Sequence, residues 1–138
     1  MDARKIDNNL TVSSQISALD VAGLAAAGFK AIVCNRPDDE ENGQPGVAEI
    51  SAACAASDIP FHHLPTSSGQ FPPAVLAAFR EVRQEAGGPV FAYCRTGTRS
   101  VTIDALANPE GKSAEDIVQA ARQAGYDLAP IKDHIPER

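Results

Sequence analysis

The stretch FAYCRTGTRS, residues 91–100, ends an apolar run in a cysteine and then sets out a glycine, an arginine and a serine. Cys94 is the candidate nucleophile, and Arg99 and Ser100 are its candidate catalytic partners. Between strand and helix, successive backbone N–H groups of a tight loop point inward, and the helix N-terminus adds partial positive charge. An anion is stabilised there, and the same field favours the thiolate form of a cysteine. Arg99 adds a planar fork that can grip an oxyanion with two hydrogen bonds. Gly97 lets the backbone turn and approach the anion closely, and Arg95, Thr96 and Thr98 complete the ring as substrate contacts. The plainer alternative is a core cysteine at a strand end with a solvated arginine. The order strand, Cys, Gly, Arg, Ser, helix weighs against it.

Other loops must gather around this ring. In a parallel sheet the loops that follow each strand lie on one edge, so RPDDEENGQPG, residues 36–46, should approach Cys94. Arg36 is a candidate second anion contact, and Asp38 or Asp39 a candidate acid, against the bland reading of a solvated turn. The loop PTSSGQFPP, residues 65–73, holds no carboxylate; Ser67 and Ser68 are weak candidates for substrate contact. Cys34 ends the strand before the acidic loop and could act as a resolving cysteine, although core packing is the favoured reading. Cys54 lies on an apolar helix face and reads as packing. His62 and His63 alternate on a strand, and His63 matters only if it turns toward the ring. With no third ligand nearby, neither a metal nor any other cofactor is expected.

The positioning elements read as alternating strands and helices, an α/β domain with a small, mostly parallel sheet. A first strand is expected around Leu10–Val12, then a helix opened by a Ser17/Asp20 capping box and ended by Gly28. KAIVCN (residues 30–35) reads as a buried strand, IPFHHLP (59–65) as a second strand and PVFAYC (89–94) as a third. Val47, Ile50 and Cys54 mark one helix, and Val75, Phe79 and Val82 another, started by Pro72-Pro73 and stopped at Gly87-Gly88. After the ring, Val101–Ala107 reads as helix, a Ser113/Asp116 box opens the next as far as Gly125, and Tyr126–Arg138 as a short docked helix. Residues 1–138 therefore make one domain, without repeats or linkers.

Composition narrows the partners. At 138 residues the chain can bury a real core, and 43% apolar with 22% charged residues is the balance of a globular protein. A net charge of −6 makes nucleic acid or an anionic membrane a poor partner. MDARKIDNNL has no apolar core of a signal peptide, no apolar stretch reaches membrane-spanning length, and three unpaired-looking cysteines suit a reducing compartment. A cytoplasmic location is expected.

CRTGTRS, GFKAIVCNRPDDEENGQPG and the late AGYDL together resemble the bacterial phosphatase-like family found beside the metallohydrolase part of beta-lactamase-hydrolase-like proteins. The resemblance implies the dual-specificity phosphatase fold, a nucleophile at Cys94, an anion-binding Arg99, and a Ser100 hydroxyl that helps the thiolate leave. Two departures bear on the reaction. Four residues separate Cys94 from Arg99, where cysteine phosphatases generally have five; this is similar to the rhodanese-type loop of sulfurtransferases. The loop that carries the acid in dual-specificity phosphatases has none here, and a positioned acid typically contributes about 10² to 10⁴ in rate. Sulfane-sulfur transfer from thiosulfate or a persulfide to a thiol is thus the first expectation, and phosphoester hydrolysis through a Cys94 phosphoryl intermediate the alternative. A non-catalytic anion- or partner-binding module is the third. The resemblance also hints at sulfide metabolism, with a persulfide dioxygenase as partner.

Overall fold

The computed structural model describes residues 1–67 and 69–137, so Ser68 and Arg138 lie outside the described residues. In chain order the elements are β1 (Ala3–Asp7), β2 (Leu10–Ser13), α1 (Ala18–Ala26), β3 (Ala31–Cys34) and α2 (Val47–Ala56). There follow β4 (Phe61–His63), α3 (Pro73–Glu85), β5 (Val90–Tyr93), α4 (Thr98–Ala107), α5 (Ala114–Gln123) and a 3₁₀ helix (Ala129–His134). The sheet order is β1-β2-β5-β3-β4, antiparallel only between β1 and β2.

Every residue of β3 and β5 is buried, because helices cover both faces of the sheet. On one face Ile32, Cys34, Phe91 and Tyr93 pack with Ile16, Val21, Leu24, Ile50 and Cys54 from α1, α2 and their approaches. Phe29 meets Phe91 edge-on with ring centroids 5.3 Å apart. On the other, Leu10, Val12, Val33, Val90 and Ala92 pack under Phe79, Val101, Ile103, Val118 and Leu128 from α3, α4, α5 and the tail. Among the described residues no helix is long and apolar enough to cross a membrane.

Two elements differ from the sequence reading. The local pattern does not predict β1, since ARKID has only Ala3 and Ile6 as apolar residues and lies at a partly exposed sheet edge. Its cause is the hairpin: Asn9 N donates to Asp7 Oδ1 at 2.8 Å in the turn, and Lys5 then faces Thr11 on β2. The tail is a 3₁₀ helix, with Pro130 in its first turn. The Ser17 amide donates to Asp20 Oδ2 at 2.8 Å, and Ser113 Oγ accepts from the Asp116 amide at 3.2 Å, so both N-termini are capped where the pattern placed them.

α3 and α4 are tied by a buried ion pair: Arg83 Nε donates to Asp104 Oδ1 at 2.8 Å, and Nη2 to Glu110 at 3.4 Å. Burial pushes the Asp104 carboxyl up despite Arg83. Arg83→Met strands that carboxylate, and the expected loss in urea denaturation is about 3 kcal/mol or more. Recovery of most of it in Arg83→Met/Asp104→Leu would show that the unpaired charge, not lost packing, sets the loss.

Candidate active site

β5 delivers Cys94 to the sheet edge still in ladder register, its amide donating to Ser13 O at 3.2 Å. The ring then closes at Gly97, whose φ of 92° is open to glycine and strained for other residues. Gly97 N donates to Cys94 Sγ at 3.1 Å, so at least one ring amide faces the sulfur. Cys94 is a free cysteine with 1% of its surface exposed. α4 starts three residues before the expected Val101, because Gly97 is its N-cap and Val101 N already bonds Gly97 O at 3.0 Å. Arg99 and Ser100 therefore occupy the first helical turn.

Arg99 is 7% exposed and held from two loops. Its Nη1 and Nη2 donate to Glu40 Oε2 and Oε1 at 2.8 and 2.7 Å, and Nη1 also donates to Thr66 O at 2.8 Å. Glu40 hydrogen bonding, with a further pull from the Cys94 sulfur, raises the guanidinium above its ordinary value against the opposing effect of burial. The fork is thus charged, fixed end-on, and within electrostatic reach of the Cys94 sulfur. Reciprocally, Arg99 first and Arg36 second hold the Glu40 carboxyl below its usual range, though burial opposes them.

The acidic loop differs from expectation residue by residue. Arg36, expected as an anion contact, is 1% exposed and spends its donors on Glu40 Oε1 (3.0 Å), Gln15 Oε1 (2.9 Å) and Glu41 Oε1 (2.9 Å). It anchors the loop. Asp38, expected as an acid, accepts the Val47 amide at 2.8 Å and caps the start of α2. Asp39, the other candidate, is exposed and sits at the turn with φ of 63°. That turn sends Asp38 back toward α2 and Glu40 forward to the arginines. Sequence reasoning missed Glu40; the available signal was its position four residues after Arg36, a spacing at which opposite charges meet when the chain curls.

Ser100 Oγ donates to Asn35 Oδ1 at 2.9 Å, while Asn35 Nδ2 donates to Leu64 O at 2.9 Å. Asn35, also missed, orients the Ser100 hydroxyl; its signal was a polar residue closing the buried run KAIVCN. Tyr126 Oη donates to Thr96 O at 3.0 Å, bringing AGYDL to the ring. Arg95 is exposed, with Nε 3.4 Å from Glu41 Oε2. A cleft of about 390 Å³ opens beside the ring, lined by Phe71, Arg95, Thr96, Thr98, Arg99 and Thr102 among others. Ser67 does not line it.

Cys34 faces the α1/α2 side of the sheet and donates to Arg36 O at 3.4 Å; burial pushes its thiol up, which disfavours a resolving thiolate. Burial also pushes Cys54 up, to about 11. His63 Nε2 lies 2.9 Å from Arg36 O and so contacts the acidic loop rather than the ring. Among the described residues no group of His, Cys, Asp and Glu is arranged to hold a metal.

A cysteine ring at the C-terminal edge of a mostly parallel five-stranded sheet, with an arginine in the first turn of the next helix, defines the cysteine-phosphatase-like fold. Residues 2–111 match the family described as the phosphatase-like domain of beta-lactamase hydrolase-like proteins, and the chain belongs to that family. The beta-lactamase hydrolase-like protein of Agrobacterium fabrum is 37% identical over 130 residues, covering 93% of this chain and 30% of that protein. The chain thus spans under a third of the length of the curated relatives it matches. A crystal structure of a candidate phosphatase from Neisseria meningitidis superposes with a TM-score of 0.82 at 34% identity, covering 98% of this chain and 96% of that one. Tk-PTP in its active form superposes with a TM-score of 0.69 at 19% identity over 97% and 92% of the two chains, and shares the fold. The chain is an enzyme domain of the cysteine-dependent, phosphatase-like class.

Glu40→Gln tests the electrostatic core of this site. A carboxyl held below its ordinary value of 4.5 contributes stability that is complete above that value and is lost as pH falls through the lower folded value. Acid titration of wild-type stability is expected to show this decline, and Glu40→Gln to flatten it while lowering kcat/KM about 10- to 100-fold through a loosened Arg99. An unchanged acid limb would remove Glu40 from the role.

Proposed function

We propose that the domain hydrolyses phosphomonoesters through a phosphoryl group carried on Cys94. The observation that carries this is the position of Arg99: first turn of α4, in the helix that follows the Cys94 ring, with its end-on nitrogens held by Glu40 and Thr66. Family membership and the fold support phosphate over sulfur chemistry, which reverses the order expected from ring size and the missing acid. The Cys94 thiolate attacks phosphorus, an S–P bond forms as the P–O bond to the leaving group breaks, and that oxygen departs as an anion. Water then attacks phosphorus, one of its protons is lost to solvent or to phosphate, and the S–P electron pair returns to sulfur. In this reading the Ser100 hydroxyl, which donates to Asn35, favours that return by turning its proton to the sulfur.

Charge sets the size of the substrate group. Arg36, Arg95 and Arg99 meet Glu40, Glu41 and the attacking Cys94 thiolate, so the side chains around the ring carry no surplus of positive charge. A single phosphoryl group suits that balance better than a cluster of phosphates. The loop after β4 gives Arg99 a carbonyl and carries no carboxylate, and Glu40 is held ionised. Leaving groups that depart as stable anions, such as phenols, are therefore favoured over alkyl alcohols.

The second reading, sulfane-sulfur transfer, keeps one specific support: only four residues separate Cys94 from Arg99. Mass spectrometry decides between them. Incubation with an aryl phosphate and rapid acid quenching is expected to leave a phosphoryl adduct on Cys94, absent in Cys94→Ser, with turnover lost by about 10⁴-fold or more. A stable sulfur adduct from thiosulfate, without phosphate turnover, would establish the transferase instead; full biological activity in Cys94→Ser would leave a binding module. Among aryl phosphates, kcat/KM is expected to fall steeply as the phenol becomes more basic. A flat dependence would reveal an acid at the site.

A further inference from the structure

We propose that Tyr126 is a positioning residue of the ring: its hydroxyl fixes the Thr96–Gly97 peptide so that the Gly97 N–H faces the Cys94 sulfur. The inference rests on Cys94 being the nucleophile and concerns what holds its surroundings in shape. No cis peptide occurs among the described residues, and in a trans peptide the carbonyl and the N–H point in opposite directions. Tyr126 Oη donates to Thr96 O at 3.0 Å at one edge of this planar peptide, and Gly97 N donates to Cys94 Sγ at 3.1 Å at the other. One rigid unit is clamped between the phenol and the sulfur.

The clamp answers a weakness created by glycine. Gly97 is needed because its φ is 92° and because the Tyr126 hydroxyl packs where a Cβ at this position would stand. Glycine also makes this the softest peptide of the ring, since its backbone tolerates either sign of φ. A flip would turn the Thr96 carbonyl toward the sulfur, setting a dipole's negative end against a thiolate or a bound anion. It would also present an N–H to a hydroxyl that now has a carbonyl to bond. The Tyr126 hydrogen bond favours the inward amide by the ordinary worth of such a bond, about fivefold to tenfold in population.

Tyr126 is itself held firmly. It is 9% exposed, its amide donates to Ala121 O at 2.8 Å, and the Arg4 guanidinium lies 5.6 Å from its ring centroid. Arg4 Nη1 in turn donates to Ala124 O at 2.9 Å, so β1 and the end of α5 brace the phenol together. Burial is the main influence pushing the phenol up, so it remains a donor across the neutral range.

Tyr126→Phe removes the hydroxyl and keeps the ring. Three readouts are taken on the full domain: the rate of Cys94 alkylation by iodoacetamide at fixed pH, the inhibition constant of inorganic phosphate, and kcat and KM for an aryl phosphate. Alkylation is expected to slow about fivefold, and phosphate to bind about five- to tenfold more weakly, with kcat reduced as well. A melting-temperature shift alone, with alkylation and phosphate binding within twofold of wild type, would overturn the inference and leave the hydroxyl as packing. The two proposals fail separately. A wild type that alkylates readily and binds phosphate but never turns over an aryl phosphate would sink the hydrolase reading, while the Tyr126 effect on the first two readouts would still stand.

Discussion

A guanidinium placed inside a protein must find a counter-charge, and here that requirement organises the site. Arg99 is 7% exposed, and the carboxylate that pairs with it, Glu40, arrives on the loop after β3. Glu40 can do this only because Arg36, buried almost completely, grips the same carboxylate from the other side. Removing one partner from such a set leaves a stranded charge, which is costly in a way that removing a surface pair is not. The pairing also has direction. Glu40 takes the two terminal nitrogens of Arg99, and the Thr66 carbonyl shares one of them.

The sheet makes these meetings possible. β3, β4 and β5 run parallel, so the chain segments after each one emerge at the same edge. The backbone records the convergence: Asn35 N bonds Tyr93 O, Leu64 N bonds Cys34 O, and Thr66 N bonds Asn35 O. β2 joins from the far side, its Ser13 carbonyl receiving the Cys94 amide. Ser13 and Thr66 each give a carbonyl to the cysteine loop or its arginine, and their hydroxyls are the two buried side-chain polar atoms without a partner among the described residues. Unsatisfied buried hydroxyls carry a desolvation cost, and their gathering at the ring is the pattern of a site that trades stability for reactivity.

The ring is built from opposing demands. The left-handed backbone at Gly97, with the Tyr126 hydroxyl where a Cβ would stand, requires glycine, and glycine brings conformational freedom that a fixed ring cannot tolerate. The fold resolves this from outside the loop: α4 fixes one end through Val101 N and Gly97 O, and Tyr126 holds the Thr96 carbonyl. Residues remote in sequence, Arg4 at the start and Tyr126 near the end, thereby belong to the same unit as Cys94.

Much of this was legible in the chain itself. Continuous apolar runs identified β3 and β5, and serine-aspartate spacings identified the starts of α1 and α5, because burial and capping act over a few neighbouring residues. Cys94, Gly97 and Arg99 were readable as a ring for the same local reason. The hairpin partner β1 was not, since ARKID becomes a strand by pairing rather than by its own pattern. Nor could charge counting select Glu40 over Asp38 and Asp39: all three lie in one loop, and only the turn at Asp39 decides which carboxylate faces Arg99. Local sequence determined most of the elements and the cysteine ring, whereas tertiary structure decided β1 and the electrostatic partners of the ring's arginine. Pairings across tens of residues depend on where the sheet edge brings loops together, which no short window of sequence contains.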